Sequence, residues 1–453
     1  MECLFYLRNM DVLGNERLAS TLRKIRLCVY ESVHRYLLRL LDLWWVPGGA
    51  VTMRRAIAKS NTRARAQTQR PAQRNLFIDV SIIAISDAGT GIQRVVRSIA
   101  QHLLADPPAG MTVHLVRATR KQPYRYARQY QARLTGQTGL GDESLLDVQR
   151  GDVFLGLDLA GRPLVMRQKE LRRWRELGVS CAFVVYDLLP AAHPEWFTPV
   201  AAKSYRRWLE TLVMHADALF CISQSVAGEI DTWLQDKFSL EHNEIHIDWF
   251  HLGADFNASE PTAIAAPKSA DVVAATEASR LVLMVGTVEP RKGHAEMLTA
   301  FESAWRDGIN VTLVIVGKAG WRVDDLIERI KYLQGVTDKL VWIADASDSD
   351  LTALYERADG LIMASEAEGF GLPIIEAALR DIPLFLRDIP VFREVAHEHA
   401  TYFRGASPAE VESSLEHWLR DLERDRAVRS GNMATLTWEQ SAHRLGELVA
   451  RLE

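Results

Sequence analysis

The sequence predicts an α/β protein with two doubly wound parallel-sheet domains and a helical, basic N-terminal extension. Three observations predict it. Short apolar runs recur along the chain and are mostly separated by stretches with apolar residues at helical spacing, as expected of parallel sheets covered on both faces. That alternation is interrupted between 257 and 279 by a segment rich in Ala, Pro, Ser, Thr and acid, without an aromatic anchor. The 453 residues are enough for two or three domains.

Residues 1–74 form the extension and its linker. Leu22, Ile25, Val29, Val33, Tyr36, Leu40 and Leu43 follow three- and four-residue steps, one face of a helix flanked by Arg23, Lys24, Arg26, Arg35 and Arg39 and ended by Trp44-Trp45. Such a basic amphipathic helix suits an anionic membrane interface; packing on the body or on a partner helix is the alternative. Residues 59–74 are polar, basic and free of acid, and read as a flexible linker. The first 74 residues hold 14 Lys and Arg against 5 Asp and Glu, so a net charge of −4 conceals a basic arm on an acidic body. An acidic body without an aromatic stacking platform beside the arm argues against nucleic acid. No apolar run reaches membrane-spanning length, and charges interrupt each candidate leader. The four cysteines (Cys3, Cys28, Cys181, Cys221) lack metal-ligand spacing, which fits a reduced, cytosolic setting.

The first domain is expected over 75–256. Strands are expected at Leu76–Val80, Thr112–Val116, Asp152–Leu157, Cys181–Tyr186, Ala218–Ile222 and Ile245–Phe250. Ligands of such sheets bind beyond the C-terminal ends of strands. Gly89-Thr90-Gly91 lies after the first strand, short of a full dinucleotide fingerprint. Asp187 and His193 follow the fourth and are candidates to hold hydroxyls or move a proton; a helix cap and a surface loop are the alternatives.

The second domain is expected over 280–435, with strands at Leu281–Val285, Val311–Val316, Leu340–Ile343, Gly360–Ala364 and Pro383–Leu386, and a closing helix within 436–453. After its first strand, Arg291 and Lys292 supply a guanidinium fork and an ammonium suited to a diphosphate. After Gly360–Ala364 comes Glu368-Gly369-Phe370-Gly371-Leu372-Pro373, and then apolar residues at helical spacing around Glu376. Glycines that admit close approach, followed by unpaired N–H groups, suit an anion. Two bracketing carboxylates suit a hydroxyl-rich ligand.

Glu368 and Glu376, wrapped around Gly-Phe-Gly-Leu-Pro, resemble the signature of glycosyltransferase family 4, and the resemblance runs from about Phe77 to the C-terminus. It implies the GT-B fold, two Rossmann-like domains facing a cleft, and a retaining sugar-nucleotide transferase. It carries Lys292 over as a pyrophosphate ligand, with Arg291 replacing an arginine that relatives place near Thr287. It gives Glu376 the ribose hydroxyls, Glu368 the donor sugar, the Gly369–Leu372 N–H groups the diphosphate, and Gly89–Gly91 the acceptor and donor phosphate. Asp-Ala-Gly-Thr-Gly-Ile-Gln-Arg and Asp-Leu-Leu-Pro…His-Pro-Glu are similar to bacterial mannosyl- and rhamnosyltransferases of surface-polysaccharide assembly, although Tyr186 stands where many members have His. The implied donor is GDP-mannose or a related GDP-deoxyhexose, and the implied acceptor is a glycan or lipid-linked glycan at the inner face of the membrane. No metal is expected, because no Asp-x-Asp pair ends a strand. A non-catalytic sugar-nucleotide-binding scaffold and a sugar-nucleotide epimerase are the competing readings.

Overall fold

The structure is a computed structural model that describes residues 50–51, 54–55, 73–241, 244–255 and 280–452. The expected helix over Leu22–Leu43, Cys3, Cys28, nearly all of the 59–74 linker and the whole of 257–279 lie outside the described residues.

The described residues form a seven-stranded and a six-stranded sheet. The first is built from β1 (Arg74–Asp79), β2 (Met111–Arg117), β3 (Arg125–Tyr126), β4 (Val153–Gly156), β5 (Ser180–Val185), β6 (Ala218–Cys221) and β7 (His246–Trp249). The second contains β8 (Leu281–Val285), β9 (Thr312–Val316), β10 (Leu340–Ile343), β11 (Gly360–Met363), β12 (Leu384–Arg387) and β13 (Thr401–Phe403). Their orders are β3-β2-β1-β4-β5-β6-β7 and β10-β9-β8-β11-β12-β13. All pairings are parallel except β2 with β3. The inner strands are apolar because helices cover both faces: β5 and β8 read Ser-Cys-Ala-Phe-Val-Val and Leu-Val-Leu-Met-Val. Two edge strands, β3 and β13, were not foreseen. They are two and three residues long, too short for a periodic signal.

In each sheet the strand order reverses beside the first strand, between β1 and β4 and between β8 and β11. A crevice opens at that point in a doubly wound sheet. The loops after β1, β8 and β11 are therefore where the fold offers a ligand site, and they contain Gly89–Gly91, Arg291-Lys292 and Glu368–Gly371.

Helix α1 (Gly91–Ala105) buries Val95, Val96, Ile99 and Leu103, and Thr90 and Gln93 close a capping box at its start. The last described helix, Trp438–Ala450, crosses back onto α1, with Gly446 against Leu103 and Pro108. Ser441 Oγ donates to the His251 carbonyl at 2.7 Å, and Arg74 donates to the Leu452 carbonyl at 2.9 Å. One apolar cluster runs from Leu76 and Val96 through Phe250, Phe370 and Trp438 to Leu283 and Leu361, so the base of the cleft is shared core.

The described part of the arm packs on the first domain. Ala50 and Val51 are buried, and Arg54 donates to the carbonyl of Ala216 at 2.6 Å and of Val213 at 3.3 Å. Its guanidinium also pairs with Glu244. At this stretch, packing on the body describes the arm. No described helix is long and apolar enough to cross a membrane.

Candidate active site

The two loops of the second domain are stitched to each other by hydrogen bonds. Glu366 N donates to the Arg291 carbonyl at 2.8 Å, and Arg291 Nη1 donates to the Ala367 carbonyl at 3.0 Å. This brings both cations to one carboxylate. Lys292 Nζ donates to Glu368 Oε1, Arg291 Nη1 lies 3.2 Å from the same oxygen, and Ser365 Oγ donates to it at 2.7 Å. Burial alone pushes the Glu368 carboxyl up, but Lys292 and Arg291 outweigh it and hold the group at about 2. Glu368 is therefore ionised at neutral pH, and its charge is the local counterpart of two cations.

Two more carboxylates complete the cluster. Glu289 Oε2 lies 3.1 Å from Arg291 Nε without a well-aligned hydrogen bond, and its pKa is raised, mainly by burial. Asp187 comes from the first domain. Burial raises its pKa, while Arg291 pulls it down and Glu368 and Glu289 push it up, so it belongs to the same electrostatic group. Its Oδ1 accepts from Leu189 N at 3.0 Å, the local turn expected of Asp at that place. Burial opposes the charge on Arg291, and the three carboxylates together raise its pKa.

Gly369 is required by close approach. A Cβ there would collide with the Tyr186 carbonyl oxygen and lie 3.4 Å from Asp187 Cβ, both in the opposite domain. The Gly369 carbonyl accepts from Ser223 Oγ at 2.8 Å. Gly371 takes φ +102° and precedes helix α11 (Leu372–Ala378) without a side-chain cap. Glu394 fastens the other side of the same contact, accepting from Gln224 N at 2.6 Å, Ser225 N at 2.8 Å and His251 Nε2 at 2.8 Å.

Glu376 sits on α11, 6 % exposed. Tyr355, on the helix Asp348–Arg357, donates to its Oε2 at 2.7 Å. Across the cleft, Arg94 Nη2 of α1 is 2.6 Å from its Oε1. Gly91 faces Leu372: a Cβ on the glycine would lie 3.9 Å from Leu372 Cδ1. The Gly89–Gly91 loop thus lies against the start of α11, with Thr90 occupied as the cap of α1.

Other expected site residues are placed differently. The Phe370 ring is 3 % exposed and lies 5.4 Å from the His251 ring, so it anchors the domain contact and leaves only its backbone for a ligand. Thr287 packs against Gly317 and Gly320. His193 stacks on Trp196 at 4.0 Å and pairs with Glu195 at 3.2 Å. Its segment is the rim of the cleft, where Trp321 and Arg322 donate to the carbonyls of Trp196 and Glu195. The Tyr186 hydroxyl is buried and donates to the Leu157 carbonyl at 2.7 Å. Four residues at the site were given no part from sequence: Arg94, Glu289, Tyr355 and Ser365. Arg94 stood inside the quoted Asp-Ala-Gly-Thr-Gly-Ile-Gln-Arg run, but its partner Glu376 lies in the other domain, and Tyr355 reaches the same carboxylate from a separate helix. No described group of three or more His, Cys, Asp and Glu is arranged to hold a metal ion.

His294, which follows this loop, is 3 % exposed, and its Nδ1 has no hydrogen-bond partner. Burial and then Lys292 lower its pKa from 6.5 to about 3. The unfolded chain takes up this proton at pH 6.5 and the folded chain does not, so this group's contribution to stability falls as pH drops below 6.5. The expected loss at pH 5 is about 2 kcal/mol. Glu368 adds to the loss only below about 4.5, as pH falls toward 2. Melting curves of the wild type and of His294→Gln between pH 7.5 and 5 check this: on going to pH 5 the variant should be spared a loss of about 2 kcal/mol relative to the wild type, and an identical pH dependence would contradict it.

The sequence profile of glycosyl transferases group 1 matches residues 267–432. The chain is 42 % identical over 372 residues to the serotype-specific mannosyltransferase WbdA of Escherichia coli; the match covers 82 % of this chain and 45 % of that protein. The chain therefore spans about half the length of the WbdA relatives it matches. It is 28 % identical over 233 residues to the O-antigen chain mannosyltransferase RfbU of Salmonella typhimurium, covering 51 % of this chain and 59 % of that one. Among solved structures, Anabaena Alr3699/HepE in complex with UDP and glucose superposes with TM-score 0.57 at 14 % identity, over 84 % of this chain and 100 % of that one. That likeness shows the fold. With the profile match over 267–432 and the similarity to bacterial mannosyltransferases, the chain carries a domain of the glycosyl transferases group 1 and has the GT-B fold.

Proposed function

We propose that this chain is a retaining hexosyltransferase of surface-polysaccharide assembly. It moves mannose or a deoxyhexose from a nucleoside diphosphate, GDP-mannose or a related GDP-sugar, to a hydroxyl of a glycan or lipid-linked glycan. It works without a metal ion, at the inner face of the membrane. One observation carries the reading: Arg291, Lys292 and Glu368 converge where the second sheet's order reverses, with Glu376 on the helix that follows.

Glu368 compensates both cations. A donor diphosphate supplies oxygens that take over Lys292 and Arg291 and free the carboxylate for the sugar's hydroxyls. Glu376 accepts from the ribose hydroxyls, with Tyr355 fixing its orientation. The bond from C1 to the phosphate oxygen breaks as the bond from C1 to the acceptor oxygen forms on the same face. The acceptor's proton passes to the leaving phosphate oxygen. The two cations lower the barrier by meeting charge that grows on the diphosphate, the part Mg²⁺ plays elsewhere. Asp187 and the Gly89–Gly91 loop face this site from the first domain and orient the acceptor.

Melting the protein with a panel of nucleoside diphosphates tests the donor site. GDP at about 100 times its Kd should raise Tm by several degrees, on the order of 3–5 °C, and more than UDP or ADP. Transfer from GDP-mannose, followed by NMR of the anomeric proton, should proceed with retention in EDTA. A panel in which no nucleoside diphosphate moves Tm would sink the proposal.

A further inference from the structure

The cation closest to Glu376 is not in the second domain. Arg94, in the first turn of α1, brings Nη2 to 2.6 Å from Glu376 Oε1 across the cleft. The other oxygen, Oε2, accepts from Tyr355. Oε1 makes no well-aligned hydrogen bond, and its partner is the Arg94 charge. The two sides of the pair differ in freedom: the Glu376 side chain is 8 % exposed and the Arg94 side chain 36 %. The carboxylate is held in place, and the half-buried arginine has a long stem on which to swing.

We infer that Arg94 is a donor ligand supplied by the first domain, which exchanges the Glu376 carboxylate for the phosphate next to the ribose when the donor binds. The inference rests on the donor site proposed above. A ribose that hydrogen-bonds Glu376 through its hydroxyls carries its first phosphate one C5′–O5′ link away, within reach of a guanidinium already beside that carboxylate. The exchange also balances charge. A bare nucleoside that takes Oε1 leaves Arg94 without its anion, whereas a nucleoside diphosphate replaces one anion with another. Arg94 thus makes the site discriminate a phosphorylated ligand from a bare nucleoside, and it draws the first domain onto the donor.

Titration calorimetry of the full chain with GDP and with guanosine tests this. Arg94→Ala should weaken GDP by about tenfold and strengthen guanosine severalfold, so their affinity ratio falls by more than about tenfold. Arg94→Lys keeps the charge and should lie between. Lys292→Ala, run beside it, should lose GDP with guanosine unchanged, an outcome that belongs to the donor site whether or not Arg94 has this part. An unchanged ratio in Arg94→Ala overturns the inference, and so does a parallel loss of both ligands, which would make Arg94 structural. A wild-type chain that binds neither ligand overturns the donor site and the inference with it.

Discussion

Glu368→Gln is expected to lower transfer by about 10³-fold while nucleotide binding is kept or tightened. The substitution keeps the shape of the side chain and removes one charge. That charge is held by Lys292 and Arg291, with Ser365 bonded to the same oxygen. Removing it frees both cations for a diphosphate, so the affinity for GDP should not fall. What is lost is the ionised carboxylate that turns to the donor sugar. Lys292→Ala should behave differently: it removes a diphosphate ligand, so binding and turnover fall together. The two variants separate the carboxylate's part from the ammonium's by a single comparison of Kd with kcat. Near-normal turnover in Glu368→Gln would remove its assignment.

Gly369→Ala is expected to lower transfer by about 10²-fold without unfolding either domain. The added methyl collides with backbone, the carbonyl of Tyr186, so no rotamer change relieves it. The domains must part at the contact where Ser223 donates to Gly369. Parting them moves Asp187 and the Gly89–Gly91 loop away from the donor, although the second domain's own ligands stay in place. Nucleotide affinity should change little, and the radius of gyration from X-ray scattering should rise. Wild-type turnover at an unchanged radius would show that the close approach at Gly369 is not needed.

Much of the architecture was legible because it is local. The strand runs Leu281–Val285 and Leu340–Ile343 lie where the apolar pattern put them, and the glycine loop before Glu376 leads into a helix. The short edge strands β3 and β13 were not legible, since two or three residues carry no period. The site divides in the same way. Arg291, Lys292 and Glu368 stand in two motifs that follow neighbouring strands, so their meeting follows from the strand order. The pairing of Arg94 with Glu376 depends on how one domain faces the other, which no spacing within either domain records. The Phe370 side chain fills the shared core beside His251, another placement that depends on the domain contact and that no local spacing records. His193 lies at the rim with Trp196, because a short turn after Asp187 carries it outward.

The most direct test of the account is a crystal structure of the chain with GDP bound. The diphosphate should lie within hydrogen-bond reach of Lys292 Nζ and the Arg291 guanidinium, with the ribose hydroxyls on Glu376. A nucleotide bound elsewhere, with Lys292 still paired to Glu368 and Arg94 still on Glu376, would contradict it.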